Sequence, residues 1–365
     1  MTNINKPARP RPLWPRFAGL RKLAAWTRDP VTVLPYLGYG TSQRLTLCGR
    51  VLEDKGFLPT RDTERRWRNL VAFVKHMESD EVAGARLQAT HADRAIQAVS
   101  DREGYFRVEI ETDDLAPGWH DIQLALEHSQ KTAIGTVLVP RPDAEFGVIS
   151  DIDDTIIQSH VTRKLRMLLT LALSNAHTRK PFGGVAAFYR ALHRGLNPFF
   201  YVSNSPRNLY LPLLEFLHRQ QLPAGPLLLR DFGRRMTRDH KARAIEDILA
   251  TYPALPFVLI GDSGEADPEI YSAILGRHPE RIRVIYIRSV VRSPNRLKAI
   301  ERLAATVAST GCQLVLAADS EFAAAHAAAA GLIAADELAR VRVDTAADSA
   351  VSAARLLQRQ RQSVG

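Results

Sequence analysis

Cysteine is scarce in this sequence: only Cys48 and Cys312 occur among 365 residues. Two cysteines so far apart support neither a disulfide framework nor a zinc site, and they fit a reducing compartment. Long apolar runs are also missing, since none approaches the roughly 20 residues that a membrane-spanning helix needs. The N-terminus shows no apolar segment of the signal-peptide kind. We therefore expect a cytoplasmic protein, and peripheral membrane contact stays open.

Acidic residues are missing from two stretches of the chain. Lysine and arginine outnumber aspartate and glutamate by 49 to 39, which gives a net charge of +10. Residues 1–50 hold nine basic residues and one acid, and residues 155–214 hold eight basic residues and no acid. Such a positive stretch suits an anionic substrate or an anionic membrane, although an ordinary solvated basic face has the same composition. The eight basic residues of the second stretch are Arg163, Lys164, Arg166, Arg179, Lys180, Arg190, Arg194 and Arg207.

The hydrophobic pattern divides the chain into four parts. Residues 1–40, rich in proline, glycine and basic residues, are predicted to form an irregular arm. Residues 41–142 alternate apolar and polar side chains between turn signals, which predicts a smaller β-sandwich-like domain with one helix near residues 62–77. Residues 146–340 alternate strand and helix patterns, which predicts an α/β domain with a doubly wound parallel sheet. Residues 341–365 read as a polar tail.

A concentrated negative charge follows the first apolar run of the α/β part. The run at residues 146–149 leads into Asp151, Asp153 and Asp154. Carboxylates this close repel one another and raise each other's pKa. The cluster therefore predicts a bound cation, a nucleophilic carboxylate, or both.

Further chemistry-bearing residues follow at later strand ends. Ser203 and Asn204 end one predicted strand, Asp262 ends another with Asp267 five residues later, and Lys241 begins a predicted helix. Each motif alone is weak, since a strand-terminal serine is commonly a helix cap. Together, at the carboxyl ends of parallel strands, they favour phosphoryl transfer through an aspartyl phosphate.

Each residue type has a part in that chemistry. A carboxylate attacks phosphorus, and a second acid two residues later protonates the leaving oxygen and then activates water. A hydroxyl and an ammonium hold the phosphoryl oxygens. Mg²⁺, which prefers carboxylate and carbonyl oxygens, neutralises the clustered charge.

The motif Asp-Ile-Asp-Asp-Thr at residues 151–155 resembles the first motif of the haloacid dehalogenase superfamily of phosphohydrolases. The longer strings "SDIDDTI", "YVSNSP" and "GDSGEADPEIY" are similar to those of the actin-patch-type phosphatidate phosphatases, and the similarity spans about residues 146–290. The resemblance implies a sheet of the haloacid dehalogenase type and dependence on Mg²⁺.

The resemblance also implies roles for single residues. It makes Asp151 the nucleophile, Asp153 the general acid and base, Ser203 the second-motif hydroxyl and Lys241 the third-motif lysine. It makes Asp151, Asp262 and the backbone carbonyl of Asp153 the Mg²⁺ ligands. It places four residues in support of the metal or of the substrate phosphate, namely Asp154, Thr155, Asn204 and Asp267.

The expected activity is Mg²⁺-dependent hydrolysis of phosphatidate, an anionic phospholipid, to diacylglycerol and phosphate. Residues 160–182 are basic at one end and apolar in the middle. They are a hypothetical cap that touches an anionic bilayer or an acyl chain, or else a core-facing helix of a small cap. Two alternatives stay open. One is a phosphatase that acts on another phosphomonoester or on nucleic-acid ends, although no specific nucleic-acid motif is present. The other is a membrane-binding module without catalysis.

Overall fold

The computed structural model describes residues 31–53, 82–127, 129, 132–153, 155–156, 183–230, 239–291 and 293–347, and the elements below are numbered within them. Two sheets are present, one of eight strands and one of six. Among the described residues, no helix is both long and apolar enough to cross a membrane.

The first sheet is antiparallel except for one parallel pairing, between its strands β2 and β8. The order is β1-β3-β2-β8-β7-β4-β5, and β6 pairs with the other side of β3. Along β6 every second residue is buried, because successive side chains point to opposite faces of a sheet. The buried side chains form one core, which includes Leu47, Val108 and Leu124. The strands are β1 (Val31–Pro35), β2 (Gly38–Thr41), β3 (Arg44–Glu53), β4 (Arg86–His91), β5 (Arg94–Val99), β6 (Tyr105–Glu111), β7 (Gly118–Leu126) and β8 (Thr132–Val139).

The second sheet is entirely parallel, in the order β11-β10-β9-β12-β13-β14. Its strands are β9 (Gly147–Ser150), β10 (Phe199–Pro206), β11 (Leu227–Arg230), β12 (Phe257–Asp262), β13 (Ile282–Arg288) and β14 (Leu314–Ala317). Its helices are α1 (Val185–His193), α2 (Tyr210–Arg219), α3 (His240–Thr251), α4 (Asp267–Arg277), α5 (Pro294–Ala308) and α6 (Ser320–Ala329).

Helices cover both faces of the parallel sheet. Val148 of β9 packs in one core with residues of α1, α2 and α6. Its neighbour Ile149 packs in a second core with residues of α3, α4 and α5. Strands buried on both faces read as continuous apolar runs, which is the pattern of β9 and β12. The predicted α/β fold is therefore confirmed, whereas the haloacid dehalogenase type and the sandwich form of the first domain stay predictions.

Part of the predicted arm belongs to the first sheet. Residues 31–40 hold β1 and most of β2, and both strands pair with β3. One of the glycines that suggested irregularity, Gly40, allows close strand packing, since a Cβ there would lie 2.2 Å from the Arg44 carbonyl oxygen. Residues 341–347 of the predicted tail are helical. The predicted helix at 62–77 and the hypothetical cap at 160–182 lie outside the described residues.

The two domains contact each other through aromatic side chains. The rings of Tyr36 and Tyr210 lie with their centroids 4.0 Å apart and their planes tilted by 30°. The Leu37 amide donates to the Tyr210 hydroxyl at 2.6 Å. The Arg207 guanidinium lies 4.5 Å from the centroid of the Tyr105 ring. Because Arg207 directly follows β10, the first sheet contacts the chain close to the end of a central strand of the second.

Candidate active site

The predicted site residues meet at the carboxyl ends of the central parallel strands. Asp151 follows β9, Ser203 lies in β10 and Asp262 ends β12, and all three side chains are fully buried. The Asp151 amide donates to the Ile260 carbonyl at 2.8 Å, so strand pairing extends up to this carboxylate. The strand order therefore brings together residues more than a hundred positions apart in sequence.

Lys241 reaches into this cluster from the first turn of α3. Its ammonium donates to Asp151 Oδ1 at 3.0 Å, to Glu265 Oε2 at 3.1 Å and to Asp267 Oδ1. Burial lowers the pKa of Lys241, but the carboxylates of Asp151 and Asp267 raise it by more, so the pKa lies well above its usual value. The side chain is thus a permanent cation in the centre of the acids.

Asp153 is held by two hydroxyl groups. Ser203 Oγ donates to Asp153 Oδ2 at 2.7 Å, and Ser205 Oγ donates to the same oxygen at 3.0 Å. Burial raises the pKa of Asp153 to about 6, and the hydrogen bonds from the two serines oppose that rise. A carboxyl group with this pKa can exchange protons near neutral pH, as a general acid and base must.

Backbone amides fix Asp262. Its Oδ1 accepts from the amides of Gly264, at 2.5 Å, and Glu265, at 3.0 Å. The Asp262 amide donates to Asp267 Oδ2 at 3.1 Å. This packing requires glycine at position 261, because a Cβ there would lie 2.4 Å from Asp267 Oδ2. Burial, and then the charge of Asp267, raise the pKa of Asp262 to about 7.

Three of the carboxylates could hold a metal ion. Asp151, Asp262 and Asp267 each offer one oxygen, and these oxygens lie within 4.8 Å of one another. Asp151 Oδ2 and Asp262 Oδ2 are buried and accept no hydrogen bond from the described residues. Both oxygens of Asp267, by contrast, already accept hydrogen bonds. The donor set therefore fits a hard divalent cation on Asp151 and Asp262, with Asp267 in support.

The remaining predicted residues have differing positions. Thr155 is buried, and its amide donates to the Asp153 carbonyl at 2.6 Å. Asn204 Nδ2 donates to Glu265 Oε2 at 3.1 Å. Asp154 lies outside the described residues. The carbonyl of Asp153, expected as a metal ligand, is thus engaged with Thr155 in this structure.

Three residues of the site were not predicted from the sequence. Ser205 holds Asp153, Glu265 contacts Lys241, and Arg296 donates to the backbone carbonyls of Ser263 and Glu265 at 2.9 and 2.6 Å. Ser205 and Glu265 lie in the strings "YVSNSP" and "GDSGEADPEIY", but spacing alone does not say which side chain points into the site. Arg296 begins a separate helix, and its sequence carries no signal for this contact.

The described members of the basic stretch at 155–214 are engaged in contacts of their own. Arg190 pairs with Asp344 and Arg194 with Glu145, each at 3.0 Å. Arg207 lies over the Tyr105 ring. The other five basic residues of that stretch lie outside the described residues, so a positive surface beside the site stays a prediction.

Comparison with known families gives a match over the same part of the chain. Residues 146–289 match the family model described as "Phosphatidate phosphatase APP1, catalytic domain". Phosphatidate phosphatase APP1 of Saccharomyces cerevisiae is 34% identical over 151 residues, which cover 39% of this chain and 26% of that protein. An uncharacterised protein of Schizosaccharomyces pombe is 33% identical over 156 residues, or 40% of this chain and 25% of that protein. The chain thus spans about a quarter of the length of the curated relatives it matches.

Solved structures with distant similarity are also found. A carbohydrate acetylesterase from Xanthomonas citri is 10% identical, with a TM-score of 0.28 over 75% of this chain and 73% of that one. A TM-score this low supports no statement about fold or function.

Proposed function

We propose that this protein is a Mg²⁺-dependent phosphatidate phosphatase, because residues 146–289 match the model of the phosphatidate phosphatase APP1 catalytic domain. It hydrolyses phosphatidate to diacylglycerol and phosphate. The observation that carries the proposal is the meeting of Asp151, Asp153 and Lys241 at the strand ends of one parallel sheet. In this proposal the sheet is of the haloacid dehalogenase type, and the smaller β-sandwich-like domain precedes it.

The reaction proceeds in two displacements. A carboxylate oxygen of Asp151 attacks phosphorus and forms an aspartyl phosphate, while the bond from phosphorus to the diacylglycerol oxygen breaks. Asp153 gives its proton to that leaving oxygen. In the second displacement Asp153 takes a proton from water, the water oxygen bonds to phosphorus, and the Asp151 carboxylate is released with free phosphate. A pKa of about 6 suits Asp153 to both transfers.

The other residues bind and orient the phosphoryl group. The ammonium of Lys241 and the amide of Asn204 provide donors beside Asp151, and Ser203 positions the acid, Asp153. Asp151 and Asp262 would hold the metal through their unpartnered oxygens, with Asp267 behind them. Mg²⁺, when bound there, neutralises the clustered carboxylates and stabilises charge that develops on the phosphoryl oxygens. Burial raises the pKa of Asp151 well above its usual range and Lys241 opposes this, so a neighbouring cation favours the ionised nucleophile.

A lipid substrate brings the protein to a membrane surface. A protein acting on phosphatidate from the cytoplasm meets it in a bilayer, so we propose peripheral contact with anionic membrane. The five basic residues of the predicted cap and its flank, which lie outside the described residues, are the candidates for that contact.

The test is phosphate release from phosphatidate in mixed micelles, with Mg²⁺ and with a chelator. We compare the wild type, Asp151→Asn, and the control Asp336→Asn, whose exposed carboxylate lies far along the chain from the motifs. Release that needs both Mg²⁺ and Asp151, and that survives in the control, supports the proposal.

Other outcomes identify the alternatives. Mg²⁺-dependent cleavage of a small phosphomonoester without action on phosphatidate keeps the mechanism and discards the lipid substrate. Release only from 5′- or 3′-phosphorylated oligonucleotides favours nucleic-acid ends. Vesicle binding that is unchanged in Asp151→Asn, with no hydrolysis of any ester, favours a membrane-binding module.

A further inference from the structure

Glu265 lies where the proposed mechanism places the substrate's phosphate. A single carboxylate oxygen, Glu265 Oε2, accepts from the Lys241 ammonium at 3.1 Å and from the Asn204 amide at 3.1 Å. These two donors come from different elements, α3 and the end of β10. An anionic oxygen held by both is the contact expected of a phosphoryl oxygen beside Asp151.

Both backbone polar groups of Glu265 are hydrogen-bonded. Its amide donates to Asp262 Oδ1 at 3.0 Å, and its carbonyl accepts from Arg296 Nη2 at 2.6 Å. Arg296 also donates through Nε to the Ser263 carbonyl at 2.9 Å, and its guanidinium pairs with Glu269. The loop therefore keeps its place when the side chain changes, and only side-chain rotation is needed to withdraw the carboxylate.

The exposure of the two partners differs. The Lys241 side chain is 1% exposed, whereas that of Glu265 is 20% exposed. The carboxylate thus stands at the rim of the site, between solvent and the buried ammonium. A group that enters from solvent meets Glu265 before it reaches Lys241.

We propose that the Glu265 carboxylate occupies the phosphate position in the substrate-free protein and is displaced by the phosphate of the substrate. This inference rests on the proposed function. Glu265 then competes for the same two donors and weakens the binding of any phosphate dianion. Displacing Glu265 costs its hydrogen bonds with Lys241 and Asn204. Binding therefore favours ligands that make additional contacts elsewhere, for example through the organic part of a phosphomonoester.

A different role for Glu265 would be to orient Lys241. Asp151 and Asp267 already accept from the same ammonium and are fully buried, so the lysine keeps two anchors without Glu265. If Glu265 only orients Lys241, its loss lowers kcat and leaves phosphate affinity unchanged. If Glu265 competes with phosphate, its loss tightens phosphate binding and lowers KM.

The experiment titrates inorganic phosphate into the full-length protein with Mg²⁺ present, by calorimetry. The variant Glu265→Gln keeps the size and removes the charge, and Glu265→Ala also removes the acceptor. The matched control is Glu215→Gln, which makes the same charge change on α2 at a residue that pairs with Arg219. We expect both Glu265 variants to bind phosphate about fivefold more tightly than the wild type, the change that roughly 1 kcal/mol produces. The control keeps wild-type affinity.

Equal phosphate affinity in the wild type and both Glu265 variants overturns the inference, and so does weaker binding in the variants. Adding Asn204→Ala sharpens the test, because the gain from Glu265→Gln shrinks when one of the two shared donors is gone. Steady-state kinetics separate this result from the proposed function. If phosphate is released from phosphatidate with Mg²⁺ but the Glu265 variants bind phosphate as the wild type does, only the proposed role of Glu265 is wrong. If the variants bind phosphate more tightly but phosphatidate is not hydrolysed, only the proposed lipid activity is wrong.

Discussion

Replacing Asp262 with asparagine tests whether the buried carboxylates are built to hold a cation. The side chain is fully buried, and burial together with Asp267 raises its pKa from an ordinary 3.8 to about 7. At pH values between these two pKa values, Asp262 is protonated in the folded protein and ionised in the unfolded chain. The stability contributed by that proton is complete below the pKa of the unfolded state and is lost as the pH rises through about 7.

The size of the effect follows from the shift. About three pKa units correspond to about 4 kcal/mol of destabilisation at about pH 8 in the absence of a divalent cation. Asparagine removes the charge and keeps an oxygen for the amides of Gly264 and Glu265. Its buried amide nitrogen replaces an oxygen that accepts no hydrogen bond from the described residues, which costs about 1–3 kcal/mol. The metal-free Asp262→Asn protein should therefore be more stable than the wild type by about 1–3 kcal/mol at about pH 8 and nearly equal to it at about pH 5.

Calorimetric melting with a chelator and with Mg²⁺ measures both parts of this prediction. Mg²⁺ should raise the melting temperature of the wild type, because it binds the folded state, and should raise that of Asp262→Asn little. The order of stability then reverses when the metal is added at about pH 8. Asp247→Asn, at an exposed position on α3, serves as the control for loss of one charge. An equal Mg²⁺ response in Asp262→Asn and the wild type, or the same pH dependence without metal, would refute the reasoning.

Three further predictions concern the site, the contact between the two domains and the amino-terminal edge of the parallel sheet. Ser205→Ala removes a hydrogen bond that lowers the pKa of Asp153. In the pH profile of kcat/KM, the transition that reports Asp153 should therefore move to higher pH. Ser205→Thr keeps the hydroxyl and should leave that transition in place. Tyr105→Ala removes the ring between two guanidinium groups and should lower the unfolding free energy by about 1–2 kcal/mol in urea titration, while Tyr105→Phe loses little. Asn197→Ala leaves the Glu145 amide and the Leu192 carbonyl without their buried partner. It should lower the unfolding free energy by about 3 kcal/mol in the same urea titration. Asn295→Ala, at an exposed position, is its control.

The sequence predicts where the candidate site residues lie because backbone topology places them. A buried parallel strand needs a continuous apolar run, and β9 and β12 both show one that stops at a carboxylate. Strand ends of one direction share one edge of the sheet, so Asp151 and Asp262 had to come near each other once the alternation of strands and helices was recognised. No side-chain detail was needed for that step.

The sequence does not say which neighbour a side chain contacts. Asn204 stays a predicted support of the metal or the substrate phosphate, and in the structure its amide donates to Glu265. Ser205 lies two residues after Ser203 and shares its partner Asp153, yet no spacing rule separates such a serine from an ordinary turn residue. Residues 31–40 of the predicted arm form strands for another reason. Glycine in this stretch was taken as a sign of irregular chain, whereas Gly40 is required by the close approach of β3.

Charge balance ties these details to the proposed chemistry. Asp151, Asp153, Asp262 and Asp267 are all buried, and the buried cation Lys241 pairs with two of them, Asp151 and Asp267. Burial is the largest cause of the raised pKa of each of the four acids. Without a further cation, these carboxyl groups therefore tend to be protonated and neutral. In the proposed mechanism, a divalent cation on the unpartnered oxygens would replace those protons and leave the Asp151 carboxylate ionised. The buried acids that are costly for folding would thus couple metal binding to the ionisation of the proposed nucleophile.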